Sequence, residues 1–120
     1  MKPKIDETKF GSITVAGKKH THDIIIRLNG NIEIRKKKLS KEVFGTSHII
    51  SLAEAEYVFE AGADSIIIGT GQSGMVKLSD EAIEFFALKE CHPYLLPTSE
   101  AIHLWNKAKS ATIGLFHITC

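Results

Sequence analysis

The chain has little of what would set it apart from ordinary globular proteins. Among 120 residues there are two cysteines, three prolines and one tryptophan, and 15 Lys and Arg nearly balance 14 Asp and Glu. Two cysteines cannot staple a small scaffold and fit a reducing compartment, and no close set of Cys and His has the spacing of structural zinc. So little proline excludes collagen-like and proline-rich chains. No apolar run approaches the ~20 residues of a membrane span. Met1 to Phe10 lacks the apolar core of a signal peptide and the Arg and Ser bias of a presequence. The expectation is a cytoplasmic protein with no membrane association. With 43% hydrophobic residues disorder is excluded too, and a chain of this length makes one domain, 1–120, with a folded surface of roughly 6,400 Å².

The near-zero net charge hides a polarity. Up to Gly45 there are 11 basic residues against 5 acidic ones, and beyond it 4 against 9. Four of the positive charges form one run, Arg35, Lys36, Lys37 and Lys38, which makes these four the candidates for meeting a polyanion. No aromatic residue is interleaved for base stacking, so nucleic acid is not the expected partner and the run reads as a solvated strand end or loop.

The front of the chain is β-rich and divided by turn residues. Asn29-Gly30, between Asp23–Leu28 and Asn31–Arg35, predicts a tight β-hairpin. In the second strand Ile32 and Ile34 share the face expected to be buried, and Asn31, Glu33 and Arg35 share the other. Behind residue 45 helix and strand alternate. Ser51 with Glu54 three places on is a capping box, followed by the stripe Leu52, Ala55, Val58 and Phe59 up to Ala61-Gly62. Ile66-Ile67-Ile68 reads as a strand covered on both faces, and Met75–Leu78 as extended. Ser79-Asp80-Glu81 opens a helix to about Lys89, ahead of Pro93. Tyr94–Leu96 is the next strand. A helix capped by Thr98 or Ser99 buries Ala101, Ile102, Leu104, Trp105 and Ala108, and Thr112–Thr119 closes as a strand. The pattern predicts a three-layer α/β domain with a mixed central sheet and an N-terminal β-rich hairpin region.

Ligands of such sheets meet the loops at the C-terminal ends of strands. Gly69-Thr70-Gly71-Gln72-Ser73-Gly74 matches the dinucleotide string, yet the helix cap comes only at Ser79 and no acidic residue follows to hold a ribose, so no cofactor is expected. A glycine-rich strand exit that exposes N–H groups suits a smaller anion, and Gly71 is expected in a backbone conformation hostile to a side chain. Pro97-Thr98-Ser99 lies at the next exit, so Gly69, Thr70, Gly71 and Thr98 are candidate ligand contacts if the two strands are neighbours. His48, just ahead of a helix, is the proton-transfer candidate. His20 and His22 would share a strand face with no third ligand, so no metal site is expected. Cys91 reads as a buried small hydrophobe, and Cys120 is poorly placed for a tuned nucleophile.

Taken in order, Ile68-Gly69-Thr70-Gly71, then Pro97-Thr98 with Ala101 and Asn106, then His117-Ile118-Thr119-Cys120, resemble the Mth-domain family of small proteins over essentially the whole chain. The resemblance implies the three-layer α/β fold, adds Asn106 to the candidate contacts and supplies no catalytic set. Its eukaryotic members are associated with assembly and regulation through protein partners. The resulting expectation is a non-enzymatic binding or assembly module that acts through a protein partner, with self-association left open beside it. The alternative is a small-molecule or anion site, enzymatic or not, at Gly69–Gly74 and Pro97–Ser99.

Overall fold

Glycine and asparagine turns cut the front of the chain into short antiparallel strands. The structure, a computed structural model, describes residues 2–120. Strands β1 (Ile5–Lys9), β2 (Ser12–Val15) and β3 (Lys18–His20) form a three-stranded antiparallel sheet in chain order. The expected hairpin follows as β4 (Ile24–Ile26) and β5 (Ile32–Ile34), with Ile26 opposite Ile32 and Ile24 opposite Ile34. Its turn is wider than the two-residue form anticipated. The Arg27 N–H donates to the Asn31 carbonyl and the Gly30 N–H to the Arg27 carbonyl, and only Gly30, at φ 90°, takes the left-handed conformation.

Two expectations for this hairpin need correction. Ile34 is 61% exposed, because β5 is the outermost strand and its covered face runs out before that position, whereas Arg35 on the supposedly wet face is buried. The basic run is the expected strand-end loop as far as Lys37, but Lys38 already belongs to a helix, α1 (Lys38–Phe44). That helix has no side-chain N-cap and no acid in its first turn, so nothing in the sequence announced its start. Only its end was signalled, by Gly45 in the left-handed conformation.

The back half alternates as the apolar periods require. Strand β6 (Ile49–Ile50) leads to α2 (Leu52–Val58), then β7 (Ser65–Thr70), β8 (Lys77–Leu78), α3 (Asp80–Leu88), β9 (His92–Leu96), α4 (Thr98–Lys107) and β10 (Thr112–His117). The Ser51 and Ser79 hydroxyls accept from the N–H groups of Glu54 and Ala82, so both serines cap. The box expected at Ser51 is only half made: the Ser51 N–H donates to the Ser40 hydroxyl, because the Glu54 carboxylate is taken by Arg35 and Ser40. Thr98 is no cap: α4 begins on it, Pro97 holds the cap position, and the Thr98 hydroxyl serves elsewhere. The central sheet runs β5-β4-β10-β7-β9, with β10, β7 and β9 mutually parallel and β4 antiparallel to both of its neighbours. A parallel pair, β6 and β8, stands apart from it.

Each β7 residue is buried, as a strand covered on both faces must be. One face of the central sheet joins Ile25, Ile66, Ile68 and Leu115 to Ala55 and Val58 of α2 and Phe86 of α3. The opposite face joins Ile24, Ile26, Ile67 and Phe116 to Ala101 and Trp105 of α4 and to Ile5, Ile13 and Val15 of the small sheet. These are the three layers the sequence predicted, and the accessible surface of 6301 Å² matches the size expected of such a chain. Cys91 is buried as expected, and its burial, with the Asp64 carboxylate adding to it, pushes its thiol up to about 11.

Trp105 lies at the centre of the α4 layer with none of its surface exposed, its ring edge-on to Phe116 and its indole N–H donating to the Pro3 carbonyl at 2.8 Å. Trp105→Ala empties that site and strands the carbonyl, so urea or thermal denaturation should show a loss of about 3–5 kcal/mol.

Candidate functional site

Strand directions decide which side chains meet. The C-terminal ends of β7, β9 and β10 lie at one end of the central sheet, and because β4 runs against β10, Asp23 at its start reaches the same end. Arg35 follows the last residue of β5 and joins them there. This is the end at which α/β sheets hold ligands.

The Gly71 turn has no room or donors to spare. Thr70 and Thr98 do come together, both buried, because β7 and β9 are neighbours. Thr98 Oγ1 accepts from the Gly71 N–H at 2.9 Å and donates to the His117 carbonyl at 2.6 Å, tying three strand exits to one hydroxyl. From Gly71 to Val76 every backbone N–H donates within the protein: Gly71 to Thr98, Gln72 to the Thr119 carbonyl, Ser73 and Met75 to the Cys120 carbonyl, Gly74 to Gly71 and Val76 to Thr70. The N–H groups anticipated for an anion thus hold the segment His117–Cys120. Gly71 has φ 103°, and a Cβ there would stand 2.3 Å from the Cys120 carbonyl carbon and 2.7 Å from the His117 ring. The expectation of a glycine-only backbone is met, and the close approach is to the chain itself.

Next to this turn lies a buried ionic cluster. The Arg35 guanidinium, with a fully buried side chain, donates to Asp23 at 2.9 Å, to both Glu54 oxygens at 2.6 and 3.1 Å and to the Ser47 carbonyl at 2.7 Å. The Ser40 hydroxyl also donates to Glu54 and accepts from the Ser51 N–H at 2.9 Å. Asp23 takes the His117 ring at Nδ1, 2.6 Å away, and the Ile118 N–H at 2.9 Å. Burial works to raise the Asp23 carboxyl, but the His117 and Ile118 hydrogen bonds and the charges of His117 and Lys37 outweigh it and bring it down to about 2. Arg35 is likewise held above its ordinary value: burial opposes its charge, and Glu54 and Asp23 overcome that.

Of the sequence candidates, Gly69, Thr70, Gly71 and Thr98 are brought together. His48 joins them at the rim, half-buried, its ring edge-on to His117 with centroids 5.4 Å apart. Asn106 does not: its amide exchanges hydrogen bonds of 2.9 and 2.8 Å with the Ile5 backbone and fastens β1 to α4. Arg35 is withdrawn from the polyanion set, since its charge is spent on buried carboxylates. Lys36 and Lys38 are exposed, and Lys37 leans toward Asp23 at 3.7 Å. Asp23, Glu54 and His117 were missed as a group. Glu54 carried a legible signal, because it stands four residues ahead of Val58 on the helix face that buries Ala55.

His117 Nε2 lies 3.2 Å from the Thr119 hydroxyl, so carboxylate, imidazole and hydroxyl stand in the order used by hydrolytic triads. The rest of that apparatus is missing. His117 is 2% exposed, and the neighbouring N–H groups that would stabilise an oxyanion are already bonded. Among the described residues no three of His, Cys, Asp and Glu gather as a metal site, and no helix is long and apolar enough to cross a membrane.

Comparison with known proteins agrees with this architecture. Residues 5–112 match the family described as proteins of unknown function DUF498/DUF598, and the chain belongs to that family. A conserved hypothetical protein of Pyrococcus horikoshii OT3 is similar over 98% of this chain and 99% of its own, at 36% identity and a TM-score of 0.88. The protein called MT938 is similar over 98% and 99%, at 30% identity and a TM-score of 0.82. A Bordetella parapertussis protein, 14% identical with a TM-score of 0.74 over 95% and 93% of the chains, shares the fold.

Two outcomes follow from the site. Gly71→Ala should cost more than about 1 kcal/mol, and amide exchange at Gln72 and Met75 should quicken because the segment holding their acceptors is pushed aside. Asp23, near 2 when folded against an ordinary 3.8, stabilises the fold above that ordinary value and loses the contribution as pH falls toward 2. Urea denaturation from pH 6 downward should show the native protein's advantage over Asp23→Asn shrinking by about 2 kcal/mol between roughly pH 5 and 2.

Proposed function

We propose that the protein is a non-enzymatic binding module that works through a protein partner. The observation that carries this reading is an inversion of the usual α/β arrangement. The strand-exit end, where a substrate would bind, is filled by the chain's own His117–Cys120 segment and an internally satisfied ionic cluster. Apolar side chains stand uncovered on the helices, where Leu88 is 77% exposed and Ile83 and Val43 are each about half exposed or more, and singly elsewhere at Phe10, Ile34 and Met75. Apolar surface with no partner in the fold marks contact sites. The likeness to the Mth-domain family, whose eukaryotic members act through partners, supports the same reading, and a soluble cytoplasmic setting is consistent with it.

Affinity capture from a host lysate, run in parallel with native protein and Leu88→Glu, tests this. A protein retained by the native chain and lost with the variant, at unchanged melting temperature, is the expected result. A small metabolite or phosphate that stabilises the native fold would overturn it, since a ligand at 100 times its Kd adds ~2.7 kcal/mol.

A further inference from the structure

The helix side of the sheet carries two surfaces of opposite character. Between α2 and α3 runs a groove of about 260 Å³ lined by Leu52, Glu56, Glu81, Glu84, Phe85 and Leu88. On α3 the residues 81, 84, 85 and 88 follow the spacing of one helix face, so the lining combines the apolar Leu52, Phe85 and the largely exposed Leu88 with three glutamates. None of the three is ion-paired among the described residues. Lys89 lies over the Phe59 and Phe85 rings at 5.7 Å. The other surface is α1, which exposes Lys38, Lys41, Val43 and, in part, Phe44, with Glu42 its one acid. Phe44 also lines a shallow depression with Ile49, Lys77, Leu78 and Asp80, and Asp80 leads directly into Glu81 of the groove. A basic, apolar-tipped helix and an acidic, partly apolar groove thus lie side by side.

Resting on the protein-binding reading above, we propose that the partner of this face is a second copy of the chain. Two copies pair about a twofold axis at the Phe44–Asp80 depression, and α1 of each lies on the α2–α3 groove of the other. Charge selects this arrangement. Groove against groove would bring six glutamates together with only the two Lys89 side chains beside them, and α1 against α1 would stack lysines, whereas α1 on the groove sets Lys38 and Lys41 against the three glutamates and covers Val43 and Leu88. Because the two surfaces are neighbours, one rotation makes both contacts at once. The interface is self-complementary and closes at two copies.

Sedimentation equilibrium and light scattering on the full chain test the proposal. The mass should rise with concentration to twice 13.2 kDa and stop there, and raising salt from about 0.05 to 0.5 M should weaken pairing at least tenfold. Two doubly substituted proteins sharpen the test: Glu81→Lys with Glu84→Lys, and Lys38→Glu with Lys41→Glu. Each alone should remain monomeric with a native melting curve. An equimolar mixture should regain the dimer, because each acidic surface then faces a basic one in both contacts. A chain monomeric at every concentration, growth beyond two copies, or a dimer indifferent to both charge reversals overturns the proposal. If the chain is monomeric but lysate capture still depends on Leu88, the groove takes a different, basic partner and the binding-module reading stands. If capture fails as well, both readings fall.

Discussion

Arg35 carries a full positive charge into a place with no exposed surface, and much of the architecture exists to make that tolerable. An unpaired buried charge would cost many kcal/mol, and even a paired one offsets its desolvation only when geometry and hydrogen bonds are complete. Here they are complete. The partners come from every side: Asp23 ahead of β4, Ser47 in the loop after α1, and Glu54 on α2, which is itself held by Ser40 on α1. Through Asp23 the cluster reaches His117 and Ile118 at the end of β10. One guanidinium therefore fixes where the hairpin ends, how α1 and α2 approach the sheet and where the last strand stops. Removing one member leaves the others buried without compensation, which typically costs 3–5 kcal/mol, so the cluster acts as a register for the assembly of five segments.

The same end of the sheet offers a ligand few free groups. A site for a small anion needs unspent donors, and a catalytic hydroxyl needs an approach and an oxyanion hole. The Gly71–Val76 turn offers neither, since its N–H groups close on Thr119, Cys120 and their neighbours. The Asp23–His117–Thr119 order is explained without catalysis: an ionised Asp23 fixes the imidazole, and the imidazole meets the next hydroxyl along the chain. The end of the sheet that other α/β proteins leave open is closed by its own polypeptide.

How much of this was legible in the sequence follows from the range of the interactions. Local signals read true: the Ser51 and Ser79 caps, the doubly covered Ile66–Ile68 strand, the Trp105 stripe and the special backbone at Gly71. Each rests on residues within a few positions of one another. The layers followed because their periods leave few ways to cover such faces. What escaped depends on distant partners. Arg35 looked solvated because its partners lie 12 and 19 positions away, and α1 was missed because tertiary contacts around Ser40, not caps or first-turn acids, hold it. Thr98 read as a helix cap because its true partners, Gly71 and His117, arrive from other strands.

Residue chemistry also explains how the basic half of the chain divides itself. It holds both arginines of the sequence, Arg27 and Arg35, and the structure uses both internally. Arg27 repeats the pattern of Arg35 in milder form, forking onto Glu33 while bonding the Val58 carbonyl and lying over the Tyr57 ring. A planar guanidinium can satisfy several acceptors in fixed directions at once, which an ammonium on a flexible stem cannot. The arginines accordingly weld hairpin to helix, and the lysines at positions 36, 38 and 41 stay exposed, Lys36 with its ammonium 4.9 Å from the Tyr57 ring centroid. The outward positive potential is therefore carried by side chains that are mobile, easily desolvated at their stems and adjustable to a facing carboxylate. A buried charge and an exposed one sit next to each other at Arg35 and Lys36, and the difference between them is the geometry of the head group.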